Sequence, residues 1–321
     1  MKAAVVGAST LEIRDVPQPK PKPSEVLVKV HATGLNRADL PGSYGSGHSH
    51  KEGVIPGLEW SGEVVECGAE VKGFKPGDRV ACTGAGGYAE YAVSDWGRTT
   101  HIPANNMSWE QAATIPTSLG TMHDAIITNG RLQPGETILI QGASSGVGLM
   151  GMQIAKLKGA RLVFGTSTNE ARRARLKEFG ADIAIDPKKP DWSEDVLKAT
   201  DGKGVNVIID MVSGPTVNQN MKATAVLGRI VNVGRLGGGR GEFDFNIHAQ
   251  NRISYIGVTH RTRSLAELRR EVEVMREDLW DAVTAGKLAL PIDQIFKLDD
   301  AEAAQAMMRA NRHFGKLVLV Q

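Results

Sequence analysis

The residues with the clearest chemical purpose lie mid-chain, where Thr137-Ile138-Leu139-Ile140-Gln141 runs into Gly142-Ala143-Ser144-Ser145-Gly146-Val147-Gly148. An apolar strand, a glycine turn and a helix start in that order form an anion site suited to the pyrophosphate of a dinucleotide. Gly142 and Gly146 let the backbone turn and approach the phosphates, while Gly148 lets the helix pack closely on the strand. Ala143, Ser144, Ser145 and Val147 complete the turn and the helix N-terminus, whose free N–H groups and positive dipole end face the anion. The next strand, Arg161–Gly165, ends at Thr166-Ser167-Thr168, and Arg172 and Arg173 follow. A site for a free ribose 2′-hydroxyl usually carries an acidic residue about 20 residues after the turn. Neutral hydroxyls followed by guanidinium groups suit a 2′-phosphate instead, which predicts NADPH over NADH. The alternative leaves both arginines as solvated helix surface and gives the ribose to Glu170.

Composition narrows the class. At 321 residues the chain exceeds the usual size of a single core, so two domains are expected. A net charge of +2 without single-sign blocks does not point to nucleic acid or to a membrane surface. The N-terminal Met1-Lys2-Ala3-Ala4-Val5-Val6 reads as strand rather than as a signal peptide, and no apolar run is long enough to span a bilayer. Cys67 and Cys82 are too few for a disulfide framework or a four-thiolate zinc site, and a reducing cytoplasm is the expected compartment. His48 and His50 invite a metal reading, but they lack a third ligand nearby and sit in a Gly/Ser-rich stretch. A solvated loop, able to act as a lid, is the expectation there.

These residues need elements to hold them. Up to about residue 120 the chain reads as β, with strands expected at Ala3–Val6, Glu25–Ala32, Gly62–Cys67, Arg79–Cys82 and Tyr88–Val93. Beyond it, strands at Thr137–Gln141, Arg161–Gly165, Asp182–Asp186, Val205–Asp210, Arg229–Gly234 and Ile253–Val258 alternate with helices that include Val147–Lys158, Glu170–Phe179 and Pro215–Val226. Near-continuous apolar strands with helical crossovers predict an α/β fold with a doubly wound parallel sheet. Leu268, Val272, Met275, Leu279 and Val283 mark one buried face of a helix over Leu265–Ala285. The closing Lys316–Val320 reads as a strand that returns to the N-terminal β domain. The expected domains are therefore 1–120 with 259–321, and 121–258.

That order resembles the medium-chain dehydrogenase/reductase superfamily, with a Rossmann domain inserted in a discontinuous GroES-like catalytic domain. Pro56-Gly57-Leu58-Glu59-Trp60-Ser61-Gly62-Glu63-Val64 resembles its early glycine-acid motif, and Gly73-Phe74-Lys75-Pro76-Gly77-Asp78-Arg79-Val80 its G-D-x-V turn. Ala112-Ala113-Thr114-Ile115-Pro116 with Thr121 resembles its domain-crossing segment, and Asn311 with Gly315-Lys316-Leu317-Val318 its closing motif. Zinc members carry a Cys and a His where this chain has Asn36 and Leu58, and the four-cysteine lobe is missing. The chain thus resembles the zinc-less quinone oxidoreductases, in particular the p53-inducible quinone oxidoreductase-like subgroup, and no metal is expected.

The resemblance implies cofactor contacts from Thr121, Val233, Gly234, Asn311 and Lys316, besides the glycine turn, and a flexible nicotinamide-side loop at Gly237-Gly238-Gly239. It implies substrate contacts from Asn36 and Tyr44, as hydrogen-bond donors to an acceptor oxygen, with Asp39 orienting its neighbours. The segment between Asp39 and Tyr44 is shorter than the family's. The implied activity is NADPH-dependent reduction of a quinone. The alternatives are an enone or enoyl-thioester reductase, and a nucleotide-binding protein with little turnover. The glycine fingerprint also resembles that of short-chain dehydrogenases, but Tyr255 is followed four residues later by Thr259 rather than Lys. Pairing of the last sheet edge, Ile253–Val258, with a second copy predicts a homodimer.

Overall fold

A computed structural model describes residues 1–40, 51–103 and 107–321. Tyr44, His48 and His50 lie outside the described residues. The chain opens with β1 (Lys2–Val6), β2 (Leu11–Asp15), β3 (Glu25–Gly34), β4 (Glu59–Cys67), β5 (Arg79–Thr83), β6 (Tyr91–Asp95) and β7 (Thr99–His101), then the helices α1 (Trp109–Ala112) and α2 (Pro116–His123). The middle alternates β8 (Thr137–Ile140), α3 (Gly146–Leu157), β9 (Leu162–Thr166), α4 (Glu170–Arg175), β10 (Ile183–Ile185), α5 (Trp192–Ala199), β11 (Val205–Asp210), α6 (Val217–Ala223), β12 (Thr224–Asn232), α7 (Phe245–Asn251) and β13 (Ser254–Gly257). It closes with α8 (Leu265–Thr284), β14 (Ile292–Lys297), α9 (Ala301–Arg309) and β15 (Lys316–Val320).

Two compact units result. One comprises Met1–Thr117 with Ser264–Gln321, and the other Ser118–Arg263. In the first, the sheet runs β14-β15-β3-β4-β5-β7, with β6 also on β3, beside a β1-β2 pair. Its central strands are buried over long runs, and Val26, Val28, Val30, Trp60, Val64, Val80 and Cys82 form one core cluster. β15 lies antiparallel to β3 and parallel to β14, so the C-terminal strand does return to the N-terminal sheet. The face of α8 that turns inward carries Met275, Leu279 and Val283.

The second unit is a Rossmann sheet of six strands in the order β10-β9-β8-β11-β12-β13, with every neighbouring pair parallel. Its strands are apolar because helices cover them. Leu139, Phe164, Ile208 and Ile230 pack with Trp192 of α5 and Met221 of α6. The order reverses between β8 and β11, which makes their C-terminal ends the switch point where such sheets bind nucleotides. One expectation fails here. The sequence pattern predicts helix through Thr224–Val226, yet α6 stops at Ala223 and β12 begins at Thr224. Leu227 with φ 62° and a register shift opposite Val205–Val207 bend this strand start, and a helical pattern cannot foresee such a bend. Among the described residues, no helix is long and apolar enough to cross a membrane.

Candidate functional site

The glycine turn bridges β8 and α3. Gly142 has φ 66°, the left-handed region that a side chain disfavours. A Cβ there would meet nothing closer than Met211 and Val212 at 3.8 Å, so the turn leaves room beside it. A Cβ on Gly148 would lie 2.6 Å from Ala143 Cα, which is why the helix needs glycine at that position. Ser145 caps α3: its Oγ accepts from Gly148 N at 3.2 Å and donates to Gly142 O at 2.9 Å. The first turn of α3 therefore directs its remaining N–H groups at the switch point.

The neighbouring strand end divides its hydroxyls. Thr166 is 1% exposed; its Oγ1 accepts from Gly142 N at 3.0 Å and donates to Gln141 Oε1 at 2.7 Å. It braces the turn from behind rather than facing a 2′-phosphate. Ser167 Oγ donates to Ser144 Oγ at 3.1 Å, while Thr168 is exposed. Asn169 caps α4 by accepting from Arg172 N at 3.0 Å. This places Arg172 and Arg173 in the first turn of α4, beyond the strand end. Arg173 Nη1 donates to Ser167 O at 2.8 Å and lies 3.3 Å from Asp186.

A buried chain continues across the sheet. Gln141 Nε2 donates to Asn220 Oδ1 at 2.7 Å, and Asn220 Nδ2 donates to Asp210 Oδ2 at 3.0 Å. Asp210 Oδ1 accepts from Val212 N and Ser213 N, each at 2.9 Å. Burial raises the Asp210 carboxyl above its ordinary range, and these donors act against that rise. Val233 N and Gly234 N donate to Asp210 O at 2.8 and 3.1 Å, so both residues sit just past β12 beside the switch point.

In the other unit the expected residues gather around a buried ion pair. Lys316 Nζ lies 2.5 Å from Glu59 Oε1, with the side chains 4% and 0% exposed. The same Nζ donates to Leu35 O at 2.8 Å and to Asn36 Oδ1 at 3.0 Å. All three ammonium hydrogens thus have partners inside the unit. Asn36 Nδ2 donates to Glu59 Oε1 at 2.9 Å and, more weakly, to Gly34 O at 3.4 Å. The amide expected to face an acceptor is thus turned toward Glu59 and Lys316. Glu59 Oε2 accepts from Thr117 N at 2.8 Å.

Asp39 closes the short helical turn Arg37–Asp39, its Oδ2 accepting from Asn36 N at 2.7 Å and from Tyr88 OH at 3.3 Å. Its Oδ1 is buried without a hydrogen-bond partner among the described residues. Burial pushes the Asp39 carboxyl up to about 7. Asn311 is exposed, has φ 51° and accepts from Arg37. Thr121 lies half-buried on α2.

Comparison with known proteins agrees with this architecture. Residues 22–104 match the alcohol dehydrogenase GroES-like domain, and residues 146–276 match the zinc-binding dehydrogenase family. Over 323 aligned residues the chain is 34% identical to a quinone oxidoreductase of Pseudomonas aeruginosa, covering 99% of this chain and 98% of that one. The chain belongs to the medium-chain dehydrogenase/reductase superfamily. Among solved superfamily members, an NAD-dependent alcohol dehydrogenase is 30% identical with a TM-score of 0.86, the alignment covering both chains fully. A mycobacterial protein complexed with NADPH is 25% identical with a TM-score of 0.88, again over both full chains.

Within this superfamily member, several site-shaping residues escaped the reading of the sequence. Glu59 had a signal only as the acid of the Gly57-Leu58-Glu59 motif, and no spacing marks Lys316 as its partner. Tyr88, Asn220 and Ser213 had none, because their partners are set by strand pairing and crossovers rather than by spacing.

Proposed function

We propose that the protein is an NADPH-dependent reductase of quinones that works without a metal. The observation that carries this reading is the Lys316 ammonium on Glu59 and Asn36. Zinc needs three nitrogen, sulfur or oxygen ligands around an open position. At the corresponding positions this chain has the aliphatic Leu58, an Asn36 amide oxygen that accepts from Lys316, and a carboxylate already neutralised by that lysine. The donor set does not fit zinc. Without a strong Lewis acid a simple carbonyl is poorly polarised, and the favoured acceptors are those whose added charge delocalises onto oxygen, quinones first.

The nucleotide unit fits NADPH. The α3 N-terminus with Gly142 and Gly146 would receive the pyrophosphate, and Arg172 with the Ser144–Ser167 pair the 2′-phosphate. When bound, NADPH supplies the hydride. Val233 and Gly234 would border its nicotinamide end. Glu59, Lys316 and Asp39 hold Asn36 and the turn after it in one geometry. Asn36 and Tyr44 are the proposed donors to the acceptor oxygen, Tyr44 lying outside the described residues.

β13 is a sheet edge with Ser254 and Gly257 exposed. We assign it to pairing with the same strand of a second copy, and light scattering at micromolar concentration should give twice the 34.4 kDa chain mass. Free thiols at Cys67 and Cys82 suit a reducing cytoplasm.

The decisive experiment follows oxidation of NADPH and of NADH by chelator-treated protein, with an ortho-quinone and a conjugated enone in parallel. Fast NADPH oxidation with the quinone is expected. Turnover with the enone alone would move the activity to alkene reduction. Tight NADPH binding without turnover on either would leave a nucleotide-binding protein.

A further inference from the structure

Ser213 follows β11 and adopts φ 59° and ψ −154°, a region that is essentially reserved for glycine. A serine held there is strained unless its hydroxyl does something that glycine cannot. That hydroxyl is buried and donates to Gly234 O at 2.6 Å, while Asn232 Nδ2 donates to it. Ser213 N is itself pinned by Asp210. The strained corner also supports the glycine loop that follows β12. A Cβ on the next residue, Gly214, would lie 3.1 Å from the carbonyl oxygens of Gly237, Gly238 and Arg240, and Gly237 N donates to Val212 O at 2.8 Å.

We propose that Ser213 is a positioning residue for the nicotinamide half of the cofactor. Its hydroxyl fixes the Gly234 peptide and, through Asn232, the end of β12, and backbone strain at position 213 is retained for that purpose. The inference rests on NADPH lying across the switch point, with its adenosine end at the glycine turn and its nicotinamide end at Val233–Gly234. Glycine at position 213 would relieve the strain and remove the hydroxyl. Alanine would remove the hydroxyl and keep the strain. The two variants therefore share the loss of the hydroxyl and of cofactor grip, and the difference in stability between them reports the strain.

The test measures thermal unfolding of the ligand-free protein, and fluorescence titration with NADPH and with 2′,5′-ADP, which lacks the nicotinamide half. Ser213→Gly should melt about 2–4 °C higher than Ser213→Ala, which lacks the same hydroxyl but keeps the strain, bind NADPH about tenfold more weakly than wild type and bind 2′,5′-ADP as before. Ser213→Ala should melt lower and show the same tenfold loss for NADPH alone. A stabilised glycine variant with wild-type NADPH affinity would overturn the positioning role. A glycine variant no more stable than the alanine variant would overturn the strain argument, and equal weakening of both ligands would reduce the effect to general loosening of the unit. Wild-type protein that does not bind NADPH would overturn the cofactor reading itself, and the positioning role with it.

Discussion

Lys316 Nζ and Glu59 Oε1 meet at 2.5 Å across 257 residues of sequence, both side chains almost fully removed from solvent. Removing one partner leaves the other charge buried and unpaired. Lys316→Met should lower the unfolding free energy by about 3–5 kcal/mol, and Glu59→Gln by a similar amount. Joining the two changes should restore most of the loss, because no uncompensated charge remains. Urea denaturation of the three variants checks this, and a double variant as weak as the sum of the single ones would deny the pairing.

Asp39 makes stability depend on pH. Its folded carboxyl titrates at about 7 against an ordinary 3.8, chiefly because it is buried. The folded state therefore holds a proton that the unfolded state has released. The contribution is fully present below about pH 4 and is lost as pH rises to about 7. Asp39→Asn keeps an acceptor for Asn36 N and Tyr88 OH and should flatten this slope. Denaturation midpoints at pH 5, 6 and 8, referred to those of wild type, measure it.

Gly142 and Gly148 should respond differently to alanine. At Gly148 the new methyl would lie 2.6 Å from Ala143 Cα, and displacing that backbone should cost about 1–3 kcal/mol and weaken NADPH. At Gly142 the space is open and only the φ of 66° is unfavourable, a cost of about 1–2 kcal/mol. Melting curves and NADPH titration of both variants separate steric from conformational demand.

Arg172→Ala should weaken NADPH roughly tenfold or more and leave NADH nearly unchanged, since charge-assisted bonds to phosphate are the strong ones. Arg173→Ala removes the group that holds the Ser167 carbonyl and faces Asp186, and should weaken NADPH less. Dissociation constants for both nucleotides decide the matter, and equal losses for the two would remove Arg172 from a phosphate role.

Much of the nucleotide unit could be read from the chain because its strands are buried on both faces. The strand expected at Val205–Asp210, after the turn Asp201-Gly202-Lys203-Gly204, forms with those same bounds. Strands at Leu11–Asp15 and Ile292–Lys297 escaped because both are largely exposed: Leu11-Glu12-Ile13-Arg14 alternates over too few residues to stand out, and Ile292–Lys297 does not alternate. The glycine turn was legible because its chemistry is local. Lys316 was not: the family resemblance implies a cofactor contact for it, whereas β15 beside β3 turns it inward to Glu59 and Asn36. Thr166 likewise reads as a phosphate ligand until the pairing of β8 with β9 places its hydroxyl behind Gly142.

The position of β15 between β14 and β3 sets an order of events on the ribosome. The nucleotide unit is one uninterrupted stretch, Ser118–Arg263, and can fold while synthesis continues. The sheet it interrupts must wait, with the Ala32–Gly34 end of β3 lacking its β15 neighbour, until Lys316–Val320 emerges. The same late strand delivers the ammonium that neutralises Glu59, so nascent chains stalled before residue 316 should keep the first unit open to proteases while the second is already resistant.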